Sequence, residues 1–423
     1  MVILMKIFCE LSESEFDGFS RSFRPASFLQ SVPMARSQAE RGYEVHYYGL
    51  KDGDKVIAAG LFTVHPYRKV FKIMTASGGM LMDYNNLEDL VLLRKGLIQH
   101  LSKKGIAQVQ ILPNFNLIEH DIDGAIVPGG YDNHHLVDNL LKAGFHHHGY
   151  HNHYATNDIR WFFYKNMSQI KDEDQLMESF GGQARWAVRK TLKQNVIVRD
   201  LAYDELDKFD QILEHTAERR QFNNRGLSYY QSLYHHFSQS GDVRFLIAEL
   251  DLDLYEKRLK EMRAEQEAEL EDARARHEAK PTRKMENRMM VAQEAIDGFN
   301  EKLQELETLR PEGPVIPMAA AVFIRYVDSI TYLFSGAYDR YLSFNAPYAL
   351  QWEAMNWAIK SGIPIYDFYG TAGAYAHYDD EGVYHFKKSF GGVVIEKPCT
   401  FSVNPNRFLY GILKRISDID EDK

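Results

Sequence analysis

Residues 252–310 form a charged, heptad-like stretch broken once, at Pro281. Strand-like text flanks it: RFLIAEL before, AAVFIRYV and TYLFSGAY after. In the first half Leu252, Tyr255, Leu259, Met262, Gln266, Leu270 and Ala273 recur at steps of three and four residues. Met285, Met289, Ala292, Ile296, Phe299, Leu303 and Leu306 repeat the spacing in the second. Each half therefore carries one apolar stripe, and two facing stripes make an antiparallel pair with the proline at the turn. At 1.5 Å per residue each arm reaches roughly 35 to 40 Å. A helical hairpin inserted into a sheet-containing domain excludes most architectures. Both signs of charge alternate along it, so it is not a purely basic nucleic-acid clamp. It reads either as a solvated spacer or as an arm that docks a large partner.

The 423 residues suffice for two or three domains with their own cores. A net charge of -9 exerts no global pull on nucleic acid or anionic lipid, so any such contact must come from a local patch. Cys9 and Cys399 lie far apart, without the spacing of a metal or disulfide framework, which suits a reducing compartment. The apolar start MVILMKIF is too short for a signal or a span, and no later segment reaches the length of a membrane helix.

Strand candidates in the first part are VHYYGL, KVIAAGLFTV, KVFKIMTA and AQVQIL, with helices at SFLQSVPMARSQAERG, 87–104 and HHLVDNLLKAG. HNHYATN and RWFFYKNM resume strand character. A second round follows: helix 178–190, strand VIVRDL, helices 206–219 and 228–238, strand RFLIAEL and the insert. After it come two strands, helix 346–360 and strand IYDFYG, with a closing helix at 407–416. The expectation is an α+β fold of two related units. They occupy 1–165 and 166–400, the second interrupted by the 252–310 arm, and 401–423 forms a C-terminal helix and tail.

The runs SFNAPYALQWEAMNWAIKSGIPIYDFYG and GVYHFKKSFGG, with FLQSVPMA, GGMLMDY and ERRQFNNRGLSYYQSL at matching places, resemble the Fem aminoacyltransferase family. The resemblance spans essentially the whole chain, arm included. It implies two N-acetyltransferase-like domains acting as one unit. It also implies transfer of glycine, alanine or serine from aminoacyl-tRNA to an amine of a peptidoglycan precursor, either lipid II or a UDP-MurNAc-peptide. A cytoplasmic protein, peripheral at the inner face of the membrane and able to associate with itself or with related transferases, goes with that activity. The same fold class also houses acyl-CoA-dependent and protein-directed transferases, and a non-catalytic assembly protein is a third reading.

Moving an acyl group from an ester to an amine requires a site for the oxyanion, a free-base amine and a cationic grip on precursor phosphates. It requires no metal, no cofactor and no covalent enzyme intermediate. By resemblance, Lys387 or Lys388 stabilises the transition state or holds the tRNA 3′ end. Read as a strand, HFKK sends the two to opposite faces, so only one enters the site. Arg225 and Tyr229, four apart, share a face if a helix starts by Arg225, and they resemble the family's phosphate site. The family often has lysine near 37 to 38, where this chain has Ser37 and Gln38; Arg36 or Arg41 then compensates. Where relatives carry an aspartate before the proline of QILPN this chain has Leu112, so no general base is supported there. Asp367 either orients the amine or caps a turn. Tyr332, Tyr369 and Gln351 are substrate-contact candidates beside packing roles.

Arg185, Arg189, Lys190 and Lys193 form a local basic stretch suited to tRNA or precursor phosphates, or simply a solvated helix face. His146, His147, His148, His151 and His153, with His134 and His135, lack the fixed spacing of a metal site. No metal is expected.

Overall fold

The computed structural model describes residues 6–67, 71–151, 158–372 and 381–421. The first half runs β1 (Lys6–Glu10), α1 (Glu13–Ser22), α2 (Val32–Glu40), β2 (Glu44–Asp52), β3 (Lys55–Tyr67), β4 (Phe71–Ser77), α3 (Leu87–Leu101), β5 (Ile106–Leu112), β6 (Ile118–His120), α4 (His134–Lys142) and β7 (His146–His147). The chain continues through β8 (Trp161–Asn166), α5 (Glu173–Glu178), α6 (Gly182–Lys193), β9 (Ile197–Asp200), α7 (Leu206–Arg220), α8 (Leu227–Ser238) and β10 (Val243–Asp251). The arm is α9 (Leu252–Ala279) and α10 (Arg283–Leu309). Then come β11 (Val315–Tyr326), β12 (Ser329–Ala337), α11 (Ala346–Lys360), β13 (Ile365–Thr371), α12 (Glu381–Lys388), β14 (Val393–Glu396), β15 (Phe401–Val403) and α13 (Arg407–Glu421).

Among the described residues the strands form two mixed sheets, ordered β1-β2-β3-β4-β5-β15-β7 and β6-β14-β8-β13-β12-β11-β10-β9. Each sheet has one parallel pair, β4 with β5 and β12 with β13, and is otherwise antiparallel. The two rounds of elements expected from the sequence correspond to these two sheets only in part, since β8 of the first round joins the second sheet.

Strand pairing cuts across the linear boundaries at 165 and 400. β6 and β8, which both begin before residue 166, pair with β14 in the second sheet, and β15 returns to β5 in the first. A short strand with alternating burial carries no local mark of which sheet it will join. A shared core joins the units: Phe16, Phe28, Val32 and Leu61 pack with Phe209, Leu213, Tyr230 and Phe245. Local pattern also missed β1, β6, β7, β14 and β15, all of five residues or fewer. It missed α1 too, although Ser12 and Glu15 form a reciprocal cap there. The HNHYATN segment lies almost wholly outside the described residues.

The arm starts where Asp251 accepts from the backbone N–H groups of Asp253 and Leu254, both at 3.0 Å. Thr282 caps its second helix just after Pro281. Leu252, Tyr255, Leu259 and Ala273 are buried on α9, and Ala292, Ile296, Leu306 and Leu309 on α10. Leu252, Tyr255, Leu259, Leu306 and Leu309 merge into the core of the second sheet, so the arm's base is part of that unit. Cross-arm ion pairs such as Arg288–Glu269 at 2.5 Å add charge matching along the stripes.

Candidate active site

A cavity of about 2860 Å³ lies between the two sheets. Thr63, Ser77 and Gln110 line it from the first, Tyr164, Thr331 and Asp367 from the second. A cleft of this size between units is where large ligands bind.

The lysine pair sits on a helix, α12, and not on the expected strand. Successive residues on a helix diverge by about 100°, so the two still part company. Lys387 is 4% exposed, lines the cavity and donates from Nζ to the Gly370 carbonyl. Lys388 lies outside the cavity wall and pairs with Asp123 at 2.5 Å. The Gly391–Gly392 turn that follows packs against β8, where a Cβ on Gly392 would collide with the Tyr164 carbonyl. A helix of eight residues packed with aromatics has too few turns to show its period in sequence.

Asp367 lies on β13 just before a bulge, where the pairing with β8 shifts between Asp367 and Gly370. Tyr369 takes φ 62° there, and its N–H donates to Asp367 Oδ1 at 2.7 Å. Burial pushes the Asp367 carboxyl up to about 7, against the pull of that N–H and of the Lys397 and Lys387 charges. Both Asp367 and Tyr369 line the cavity.

Sequence reasoning missed two buried lysines in the same wall. Lys397 donates to the Asn114 carbonyl at 3.2 Å and to Asn116 Oδ1 at 2.8 Å. Its ammonium lies 5.5 Å from the ring centres of Phe162 and Tyr164. Burial lowers it to about 8, and the Asp367 charge opposes that fall. Lys165 donates to the Phe390 carbonyl at 2.8 Å, and burial lowers it to about 8 as well. One signal was available for Lys165: in β8 it takes an inward position of an alternating strand, after Trp161 and Phe163. Lys397 follows a strand end and carries no such mark.

Arg225 and Tyr229 both line the cavity, although not through shared helix geometry. Gly226, at φ 81°, precedes α8, so Arg225 lies outside the helix and the four-residue spacing does not set its direction. The Arg41 guanidinium lies 4.5 Å from the centre of the Tyr229 ring. Arg219 and Arg220, ending α7, join the same wall with Gln38 of α2. Arg36 does not: it pairs with Glu13 at 2.7 Å on the outer side of α2. Tyr332 lines the cavity, its hydroxyl bonded to Ser335. Gln351 is fully buried outside the wall and accepts a 2.6 Å bond from the Tyr366 hydroxyl, so it supports the sheet and not a ligand. Leu112 lines the cavity as an apolar group.

Of the basic stretch on α6, Arg185 turns back and donates to the Glu178 and Phe180 carbonyls at 3.1 and 2.9 Å. That makes it a cap for α5, against the expected phosphate contact. Arg189 and Lys193 face solvent, and Lys190 donates to the Ser343 carbonyl at 2.8 Å.

The described histidines of the run spread over several partners. His147 bonds the Pro398 carbonyl and His148 the Ser402 hydroxyl. His151 comes together with Asp158 and Cys399, ligand atoms within 4.8 Å of one another, a donor set able to hold a metal ion. Glu40, His235 and His236 form a second such group on the surface. His153 lies outside the described residues.

A model of the FemAB family matches residues 11–417. The chain belongs to that family. Aminoacyltransferase FemA of Staphylococcus aureus strain MRSA252 is 28% identical over 422 residues, covering 97% of this chain and 99% of its own. FemA of the bovine strain RF122 / ET3-1 matches to the same extent. A crystal structure of FemX aligns with a TM-score of 0.75 at 22% identity, over 96% of this chain and 99% of that one, which supports the fold of two sheet units with an arm. As a FemAB member the chain is a tRNA-dependent aminoacyltransferase acting on peptidoglycan precursors, the activity the sequence resemblance implied. Among the described residues no helix is long and apolar enough to cross a membrane.

Proposed function

We propose that this transferase moves glycine, alanine or serine from aminoacyl-tRNA onto a stem-peptide or bridge amine of lipid II or a UDP-MurNAc-peptide. It thereby builds the interpeptide cross-bridge from the cytoplasmic side, peripherally at the inner face of the membrane. The observation that carries this reading is the juxtaposition of Lys387, Asp367 and Lys397 in one wall of a cavity that also holds Arg219, Arg220, Arg225 and Tyr229.

Nucleophilic attack forms the N–C bond at the ester carbonyl, and collapse breaks the C–O bond to the tRNA ribose. The oxyanion between these steps is countered by the Lys387 ammonium. Asp367, with a pKa of about 7, accepts the proton that the amine loses and passes it to the departing ribose oxygen. Lys397 supports the ionised form of Asp367. Arginine forks and the Tyr229 hydroxyl hold the precursor's phosphates, with Gln38 where relatives use lysine.

The test is incubation with mixed charged tRNAs and lipid II or the UDP-linked muropeptide, followed by mass measurement. The product should gain one amino-acid residue, whose mass names it, and RNase should abolish the gain. Transfer that survives RNase and depends on acyl-CoA refutes the assignment.

A further inference from the structure

One helix face sets an exposed tryptophan among cations. On α6, Trp186, Arg189, Lys190 and Lys193 stand three, four and seven residues apart, one side of the helix. Trp186 is 59% exposed, with the Lys190 ammonium 4.9 Å from its ring centre. Lys302 of α10 lies near enough to Lys190 that their charges oppose each other. Among the described residues Lys190 contacts the Trp186 ring and the Ser343 carbonyl and Lys302 the Phe299 ring, and neither they nor Arg189 and Lys193 form an ion pair with a carboxylate. Arg258, Arg263, Arg276, Arg288 and Arg310 of the arm each have one within 3.3 Å, although Lys257, Arg274, Lys280, Arg283 and Lys284 have none among the described residues. An unneutralised cation cluster around an exposed indole, on a chain of net charge -9, fits an anionic polymer with flat rings to stack.

Its position points the same way. The inner face of α6 (Ala184, Ala187, Val188) shares a core with Leu252, Tyr255 and Leu306 at the arm's base. Lys190 holds the Ser343 carbonyl, beside Leu342 of the cavity wall. Gln183 donates to the Tyr348 hydroxyl at 3.1 Å, beside Pro347 of the same wall. Thus α6 connects the arm to the cavity.

We propose that Trp186, Arg189, Lys190 and Lys193, with Lys302 of the arm, form a docking surface for the acceptor end of the donor RNA, leading its 3′ end past Leu342 and Pro347 into the cavity. This rests on the reading that the donor is an aminoacyl-tRNA. Phosphates lie on the lysines and Arg189, and a base stacks on Trp186. The connection of α6 to the cavity wall favours RNA, whose 3′ end must enter that cavity, over the other anionic surface that tryptophan and lysine suit, a membrane of acidic lipid.

The experiment measures binding of the full chain to a labelled uncharged tRNA across a salt series, together with tRNA-dependent transfer. Arg189→Glu with Lys193→Glu should weaken RNA binding at least tenfold at about 0.15 M salt and reduce the log–log salt slope by about 1.5 to 2. Trp186→Ala should weaken binding about fivefold or more with the slope retained. Both should raise KM for the charged tRNA. A control of equal charge change, Lys55→Glu with Lys103→Glu in the first unit, should bind RNA as wild type does, and circular dichroism should report all variants folded. Wild-type RNA affinity and slope in the α6 variants overturns the proposal. So does loss of sedimentation with phosphatidylglycerol vesicles while RNA binding persists, which would make the face a membrane surface. If the unaltered protein transfers without RNA, the parent reading fails. If its transfer needs RNA but the α6 variants keep their KM, only the docking surface fails.

Discussion

Asp367 is ionised in the fold only against the cost of burying its charge, so Asp367→Asn should raise stability at neutral pH while removing activity. The carboxyl moves from 3.8 up to about 7. At about 1.4 kcal/mol per pH unit, that amounts to about 4 kcal/mol, as an order of magnitude. Asparagine keeps an acceptor for the Tyr369 N–H. Lys397, however, loses the charge that offsets its own burial, which makes the expected gain smaller than that. The sign follows from linkage. A raised carboxyl pKa favours the fold below 3.8, and that contribution is lost as pH rises through about 7. The variant has no such loss. Urea unfolding of both proteins between about pH 5 and 8.5 should therefore show a stability gap that widens with pH and levels off above about 7. Transfer by the variant at about pH 8 should fall by about 10² or more, and wild-type activity should rise towards a plateau above about pH 7. A gap independent of pH, or a variant less stable than wild type at high pH, refutes the reasoning.

Lys387→Ala should lower transfer about 10²- to 10³-fold with the fold retained, whereas Lys388→Ala, which removes only a surface pair, should stay within about twofold; equal losses would break the distinction between them. Arg225→Ala should raise KM for the precursor about tenfold, and an unchanged KM would remove it from the phosphate grip. Gly336→Ala tests the packing of β12 on α7, because a Cβ there would lie 2.7 Å from both the Ile212 carbonyl and Thr216 Oγ1. It should cost about 1 to 3 kcal/mol in urea unfolding, and an unchanged midpoint would mean that α7 yields freely.

The arm was legible because its stripes repeat over many turns within each helix, where period and proline break suffice. The family runs picked out Lys387, Asp367, Tyr369, Tyr332, Arg225 and Tyr229, which the structure gathers around one cavity. They misled where direction depends on neighbours. Arg36 turns outward to Glu13, Arg185 turns back on α5, and Gln351 sinks beneath the sheet to hold Tyr366. Nothing in residues 396–398 announces that Lys397 is buried near two aromatic rings and a carboxylate.

By itself, then, the sequence determined the helical arm, the two rounds of sheet-forming elements and the family to which the chain belongs. These depend on local periodicity and on contiguous runs. Only the tertiary structure decided which strands knit the units together, through β6, β8 and β15, and which cations are buried, paired or left unneutralised. Those outcomes depend on residues up to hundreds of positions apart becoming neighbours, and burial, which sets the charge state of Asp367 and Lys397, exists only once they have.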